Sequence, residues 1–355
     1  MKKLFVAFVA MVALATWCTA PAGAQNLPKD KGKVKIYGVA FYNLENLFDT
    51  INNNGSYDLE FSPNGSRKWD DRKYWSKINN LARAINAMAG DITPQGPAII
   101  GVSEIENITV LQDLVKAEAI KGRMYGIVHH DGPDRRGVDV GLLYNPRLFK
   151  VLNVTNHRLL VEGKPNFRTR DQMCVTGIMG NDTISVVVNH WPSRLGGQKQ
   201  SSPLREAAAA LSKQIADSLW AIRPGQPVII MGDLNDDPQD ISCAKVLNAK
   251  RDQKGVGPEG FYNPWWKLLD KGIGTLAYKG SWNLFDQIII SGGLLKENAK
   301  PGHLEYWKCV VNNFDFLYDT EGSRQGSPLR TYSGGVWLDG YSDHFPTEIF
   351  LVQRL

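Results

Sequence analysis

Short runs of Val, Ile and aromatic residues recur along most of this 355-residue chain, and many stop abruptly at a small cluster of polar side chains. Runs of that length and composition are strands buried on one or both faces, so the chain has to fold around sheets. The predicted strands are Val34–Asn43, Ala98–Glu104, Tyr125–His130, Val138–Tyr144, Cys174–Gly180, Ile184–His190, Val228–Asp233, Asp286–Ser291 and Thr347–Val352. Two helices interleave with them. From Tyr74 to Ala89, the residues Trp75, Ile78, Ala82, Ile85 and Ala89 step by three and four, which makes one apolar face and places Trp75 in the core. The second helix is predicted to start with Ser202 as N-cap and Pro203 at the first helical position, burying Leu204, Ala208, Leu211, Ile215 and Leu219. No internal repeat and no Pro/Gly/Ser linker divides the chain, so residues 25–355 are expected to form a single α/β domain. The longest loops, near residues 50–72, 194–202, 250–265 and 318–335, are rich in Gly, Asn, Ser and Asp.

The first residues read as an address. Lys2 and Lys3 precede the uncharged apolar run Leu4–Ala15, and an Ala-Gly-Ala site follows at residues 22–24. That pattern predicts a signal peptide over residues 1–24 and a periplasmic or secreted mature protein. Cys18 follows the bulky Trp17, which argues against a lipoprotein site. The apolar run is too short to span a bilayer, and no later stretch approaches about 20 apolar residues, so no transmembrane segment is expected in the mature chain. Losing Lys2 and Lys3 takes two from the formal net charge of +5, leaving a mild basic balance that permits a polyanionic substrate without demanding one. Cys174, Cys243 and Cys309 fit neither a zinc site nor a disulfide-dense scaffold, so free thiols are expected.

Polar groups gathered at strand ends are how a rigid sheet presents a site. Tyr37–Tyr42 leads into Asn43 and Glu45, and Ala98–Val102 into Glu104. Val186–Val188 leads into Asn189 and His190, and Val228–Met231 into Gly232, Asp233 and Asn235. Ser342, Asp343 and His344 precede the last strand. Singly, each cluster is ordinary turn chemistry. Together Glu45, Glu104, Asp233, Asp343 and the amides of Asn43 and Asn235 supply hard oxygen ligands without a Cys/His zinc cage, which suits Mg²⁺, Mn²⁺ or Ca²⁺. Histidines beside such an ion, here His190 and His344, suit attack of water on a phosphate. Arg67, Lys68, Arg72, Lys73 and Lys77 interleave with Trp69, Tyr74 and Trp75, a pattern that can serve nucleic-acid strands.

Six segments, in order, resemble motifs of the endonuclease/exonuclease/phosphatase superfamily. Phe41-Tyr-Asn-Leu-Glu-Asn-Leu-Phe-Asp49 is similar to its first motif and Ile100-Gly-Val-Ser-Glu-Ile-Glu-Asn107 to its second, with Ser103 where many members carry Gln. Val187-Val-Asn-His-Trp-Pro192 resembles the strand that presents a catalytic His. Met231-Gly-Asp-Leu-Asn-Asp236 resembles the Gly-Asp-x-Asn signature, Leu284-Phe-Asp-Gln-Ile288 the late Asp motif, and Tyr341-Ser-Asp-His-Phe-Pro346 the terminal Ser-Asp-His motif. Arg136-Gly-Val-Asp-Val140 is a segment typical of a branch of exported relatives.

The resemblance implies a four-layer α/β/β/α sandwich of deoxyribonuclease I type, with the site at one edge. It implies that Glu104, Asn43 and Glu45 hold a Mg²⁺ (or Mn²⁺/Ca²⁺) ion, with Asp343 positioning it or binding a second. Asp233 and Asn235 would orient water and a phosphate oxygen. Asp286 would polarise His344, and His190 would act on the opposite side of the phosphate with Asp139 as partner. Arg136 and Asn189 would bind substrate. The expected activity is metal-dependent hydrolysis of DNA or RNA phosphodiesters by a monomer with no protein partner. The alternatives are a phosphoesterase for small or lipid-linked phosphates of the inositol phosphate or sphingomyelin type, and an inactive binding protein. Intact Asp233, Asn235, Asp286, Asp343 and His344 argue against the last.

Overall fold

Side chains alternate across a strand, so a strand buried throughout needs a packed layer on each face. The computed structural model describes residues 33–51, 59–90, 92–278 and 280–355, and the expected signal peptide lies outside them. Its strands are β1 (Val34–Leu47), β2 (Ile99–Ile105), β3 (Gly126–His129), β4 (Asp139–Tyr144), β5 (Phe149–His157), β6 (Gln172–Met179), β7 (Asp182–His190) and β8 (Val228–Asp233). There follow β9 (Ala249–Lys250), β10 (Phe261–Tyr262), β11 (Leu276–Tyr278), β12 (Ser281–Asn283), β13 (Asp286–Ser291), β14 (Leu304–Val311), β15 (Tyr332–Ser333), β16 (Val336–Trp337) and β17 (Thr347–Arg354). The longer helices are α1 (Asp71–Ala87), α2 (Ile108–Lys116) and α3 (Gln198–Ile222). One sheet has the order β14-β17-β1-β2-β4-β3, and a second has the order β5-β6-β7-β8-β13-β10-β9.

Alternation sorts the apolar residues into three cores. Val39 and Phe41 of β1 and Leu142 of β4 meet Val186 and Val188 of β7 and Ile229 and Met231 of β8 between the sheets. The intervening Ala40 and Tyr42 face outward and pack with Tyr74, Ile78 and Leu81 of α1 and Val110 of α2. Val187, Val228 and Ile230 face the other way, against Ala208, Ile215 and Trp220 of α3. The layers are therefore helix, sheet, sheet, helix, the deoxyribonuclease I-like sandwich that the motifs implied. Gly101 keeps the sheets close: a Cβ there would stand 2.5 Å from Met231 Sδ on the facing sheet.

All nine predicted strands form, with shifted ends. Two further long strands, β5 and β14, carry no continuous apolar run because each lies at a sheet edge, where one side is solvated. Two helix expectations are corrected. The helix predicted from Ser202 starts at Gln198, so Pro203 lies inside it rather than at its first position. The carbonyl that Pro203 leaves without a donor belongs to exposed Lys199, where water can reach it. In α1 the buried stripe is Tyr74, Lys77, Ile78, Leu81, Ala82 and Ile85, and this rotation leaves Trp75 47% exposed. Cys174, Cys243 and Cys309 are free thiols, as expected.

Glu348 of β17 is buried, with one carboxylate oxygen unpartnered and the other 3.3 Å from the Asn312 amide. Burial raises its carboxyl from 4.5 to about 8, against the opposing pull of Asn312 and Lys308. The folded chain thus keeps a proton that the unfolded chain has lost, so this contribution is complete below pH 4.5 and disappears as pH rises through about 8. Glu348→Gln should therefore unfold at a higher temperature than the wild type at pH 8.5, with the difference closing toward pH 4.5. Thermal unfolding across that range checks it, and a pH-independent difference would sink the account.

Candidate active site

Register places the first side chains. Parallel pairing of β7 with β8 sets His190 beside Asp233, and antiparallel pairing of β8 with β13 sets Asp233 beside Asp286. Neighbouring strands are about 4.8 Å apart, so one histidine and two carboxylates stand in a row across the end of the second sheet. Asn43, at the matching end of the first sheet, donates from Nδ2 to Asp233 Oδ2 at 3.1 Å and closes the gap between sheets.

The strand ends are bent to reach this point. Pairing of β1 with β2 shifts between Asn43 and Leu47, and pairing of β2 with β4 shifts between Ser103 and Ile105. Glu45, Asn46, Glu104 and Asn235 all have positive φ, between 47° and 59°. Such conformations are costly for side chains with a Cβ and concentrate where a site re-aims a group. Glu104 is turned so that Oε2 accepts from Asn46 N at 3.0 Å, while Oε1 lies 3.9 Å from His190 Nε2.

His344 enters from the turn before β17. Ser342 Oγ donates to the Asn43 carbonyl at 2.6 Å and accepts from His344 N at 3.1 Å, which fixes that turn to β1. His344 Nδ1 meets Asp286 Oδ2 at 2.6 Å, and Thr275 Oγ1 donates to the same oxygen at 2.5 Å. His344 Nε2 then lies 3.8 Å from Asp343 Oδ1 and 3.9 Å from Asp233 Oδ2.

The two histidines are driven apart in charge. Burial opposes a proton on His344, but the carboxylates of Asp286, Asp233 and Asp343 outweigh it and raise its pKa well above the ordinary value. Burial lowers His190 well below the ordinary value, helped by Arg170, Arg136 and His344. Burial also lifts Asp233 to about 6, against the pull of His344. A charged imidazolium, a neutral imidazole and a carboxyl near neutrality therefore share one pocket, the separation that acid–base work needs.

Donor chemistry decides where a divalent ion fits. Asp233, Asp286 and His344 each offer an atom within 4.8 Å of the others, with His344 Nδ1 already bonded to Asp286. Glu104 and the Asn43 amide, whose oxygen also accepts from Glu45 N at 2.9 Å, could offer oxygens to a hard cation.

Most expected site residues meet here: Asn43, Glu104, His190, Asp233, Asp286, Asp343 and His344. Asn235 joins them, donating from Nδ2 to the Trp191 carbonyl at 3.0 Å, and Arg136 reaches Glu104 Oε1 at 3.3 Å. Three expectations are corrected. Glu45 is taken up by the loop before the last strand: Oε2 accepts from Thr331 N at 2.7 Å and Thr331 Oγ1 at 2.8 Å, and Oε1 lies 3.4 Å from Arg330 Nε. Asn189 cannot bind substrate. It is fully buried, donates to the Val187 and Met231 carbonyls, and accepts from Trp191 and Ser212, because alternation points it toward α3 while its neighbour His190 faces the site. Asp139 does not support His190, whose Nδ1 has no hydrogen-bond partner; it faces His129 Nε2 at 3.3 Å instead.

Arg330, Arg170 and Thr275 were not among the expected residues, and Lys77, expected with Arg67 and Arg72 in a basic and aromatic surface, is instead buried. Arg330 ion-pairs with Asp343, and Lys77 donates to Thr331 Oγ1 at 2.6 Å and lies 3.7 Å from Glu45. Arg170 donates to the His190 and Trp191 carbonyls and to Asp134. Lys77 falls on the buried stripe of α1, beside Ile78 and Leu81, which removes it from the surface.

Residues 38–353 match the Endonuclease/Exonuclease/phosphatase family. No curated protein matches the chain significantly. Among solved structures, truncated Caenorhabditis elegans TDP2 is similar at TM-score 0.52 and 15% identity, over 90% of this chain and 98% of that one. D. rerio TDP2 complexed with single-strand DNA product gives 0.53 and 15%, over 89% and 98%. Bacteroides thetaiotaomicron mannosyl-6-phosphatase gives 0.52 and 18%, over 89% and 99%.

The Asp286–His344 pair makes a direct prediction. In Asp286→Asn the His344 imidazole should titrate at a clearly lower pH than in the metal-free wild type, followed by NMR of its ring protons. Unchanged titration would show that Asp286 does not hold the charge.

Proposed function

Because the chain belongs to the endonuclease/exonuclease/phosphatase family, we propose that it is a metal-dependent phosphoester hydrolase acting on nucleic-acid phosphodiesters. The observation that carries the reading is the joined constellation at the sheet edge, in which Asn43 holds Asp233 and Asp286 holds a charged His344. Glu104 and Asn43 would hold the divalent ion. When bound, it supplies Lewis-acid stabilisation of charge on the phosphoryl oxygens.

The chain's own groups divide the remaining work. Asp233, with a carboxyl raised to about 6, orients the attacking water and accepts its proton, and Asn235 sits beside it. As the water oxygen bonds to phosphorus the ester P–O bond breaks, and the His344 imidazolium faces the developing negative charge and can protonate the leaving oxygen. Asp286 fixes its tautomer by holding Nδ1. Neutral His190 presents Nε2 from the opposite wall, 3.5 Å from Asp233 Oδ2.

A polymeric substrate is supported by the surface next to the site. Arg72 stacks over Trp337 at 4.6 Å and exposed Trp75 stands on the same helix as Arg72, while Trp69, Tyr74, Lys77 and Tyr332 are buried and take no part. Cations interleaved with aromatic faces suit a nucleic-acid backbone and its bases. The relative solved with single-strand DNA product points the same way, and the relative that is a mannosyl-6-phosphatase makes small phosphate esters the competing outcome. The charged start, apolar run and Ala-Gly-Ala site of residues 1–24 support a periplasmic or secreted enzyme.

Purified mature protein should cleave plasmid or single-stranded DNA or RNA with Mg²⁺ or Mn²⁺, and EDTA should abolish it. His344→Ala and Asp233→Ala should each lower kcat roughly 10²–10⁴-fold while keeping a cooperative thermal transition. Ordinary turnover in both variants would remove the mechanism. Intact nucleic acid beside rapid hydrolysis of sugar or inositol phosphates would replace the substrate.

A further inference from the structure

A second group of metal-ligating side chains lies apart from the catalytic constellation, where β3 ends and β4 begins. His129 closes β3, Asp131 follows in the loop, and Asp139 opens β4. One donor atom from each lies within 4.8 Å of the others. His129 Nε2 is 3.3 Å from Asp139 Oδ2, and His129 Nδ1 is 3.9 Å from Asp131 Oδ1.

We propose that His129, Asp131 and Asp139 form a binding site for a divalent transition-metal ion of Zn²⁺ type, at the root of the loop that carries Asp134 and Arg136 to the catalytic site. Two observations support it independently of the residue types. The His129 side chain is only 4% exposed, yet its Nε2 has no hydrogen-bond partner, with Asp139 Oδ2 lying 3.3 Å away. A buried polar atom without a partner costs free energy unless something completes it. Asp139 is meanwhile oriented by its other oxygen, which accepts from Gly132 N at 2.9 Å, as carboxylate ligands are when a neighbouring group fixes them.

The spacing suits the ion. Donors at roughly 2.1 Å from a tetrahedral Zn²⁺ stand roughly 3.4 Å apart, which the His129–Asp139 pair already matches. Asp131 now lies 3.9 Å from the other ring nitrogen, Nδ1, and its side chain, 83% exposed, would have to swing to the Nε2 side to join the ion. One imidazole nitrogen with two carboxylate oxygens selects a borderline ion over Ca²⁺, and three protein ligands leave a position for water.

The ligands bracket residues 132–138, so an ion would close that loop at its base. Within the loop, Asp134 binds Arg170 Nη1 at 3.1 Å and Arg136 binds Glu104 Oε1 at 3.3 Å. The ion would therefore fasten the segment that sets Arg136 against the catalytic carboxylate. None of this depends on which ester the enzyme hydrolyses.

The test must separate this site from the catalytic one. The full mature chain carrying Glu104→Gln and Asp233→Asn is loaded with Co²⁺, whose visible absorption reports a nitrogen–oxygen site, and dialysed Zn²⁺ is counted by elemental analysis. One retained equivalent with visible absorption is expected, and adding His129→Gln should abolish both. Adding Asp131→Ala, a change at an exposed position, should weaken binding and alter the spectrum without affecting the fold. No retained ion in the catalytic-site variant would overturn the proposal. Retention after His129→Gln would do the same. Should His129→Gln fail to give a cooperative thermal transition, unchanged affinity in the Asp131→Ala form overturns it instead.

Discussion

The site depends on strand register more than on any single bond. Because β7, β8 and β13 pair so that His190, Asp233 and Asp286 fall on one line, a slip of one residue would turn each side chain to the opposite face. Register is held by what lies behind that line: Val186 and Val188, Ile229 and Met231, Ile288 and Ile290 fill the space between sheets. Gly232 adds a limit of its own, since a Cβ there would stand 2.2 Å from the Asn189 carbonyl on the adjacent strand. Packing of the interior thus places the polar edge.

Charge at that edge is balanced in two groups. On one side Glu45, Lys77, Arg330 and Asp343 form a connected set, with Thr331 supplying two hydrogen bonds to Glu45. On the other, Arg136 and Arg170 share Asp134, and Arg136 continues to Glu104. Buried charges are tolerated only when paired and hydrogen-bonded. Between these sets lie Asp233, Asp286 and His344, and His344 also stands 3.8 Å from Asp343 of the first set. Burial and uneven neighbours then push the histidines to opposite protonation states.

Much of this was legible in the chain. Nine strands followed from apolar runs and their polar ends, whereas the four layers and the pairing of Asp286 with His344 were what the resemblance of the six motifs implied. The misreadings have separate causes. The edge strands β5 and β14 lack an apolar run because solvent covers one side. Asn189 sits next to His190 in sequence, but strand alternation sends adjacent residues to opposite faces. Trp75 was assigned to the core from one set of helical steps, when the stripe through Tyr74, Lys77, Ile78 and Leu81 is the one that packs.

The sequence by itself determined nine of the strands and that acid–base and oxygen-donor side chains gather near their ends, because periodicity and local order are properties of neighbours along the chain. Only the tertiary structure decided partnerships. Glu45 meets Thr331 across 286 positions and Lys77 meets Thr331 across 254, contacts set by how the last loops fold over α1. The same holds for Asp139, which β3 and β4 bring to His129 rather than to His190. A carboxylate's role follows from the first donor its backbone lets it reach, and that distance is fixed by packing between layers, not by position in the chain.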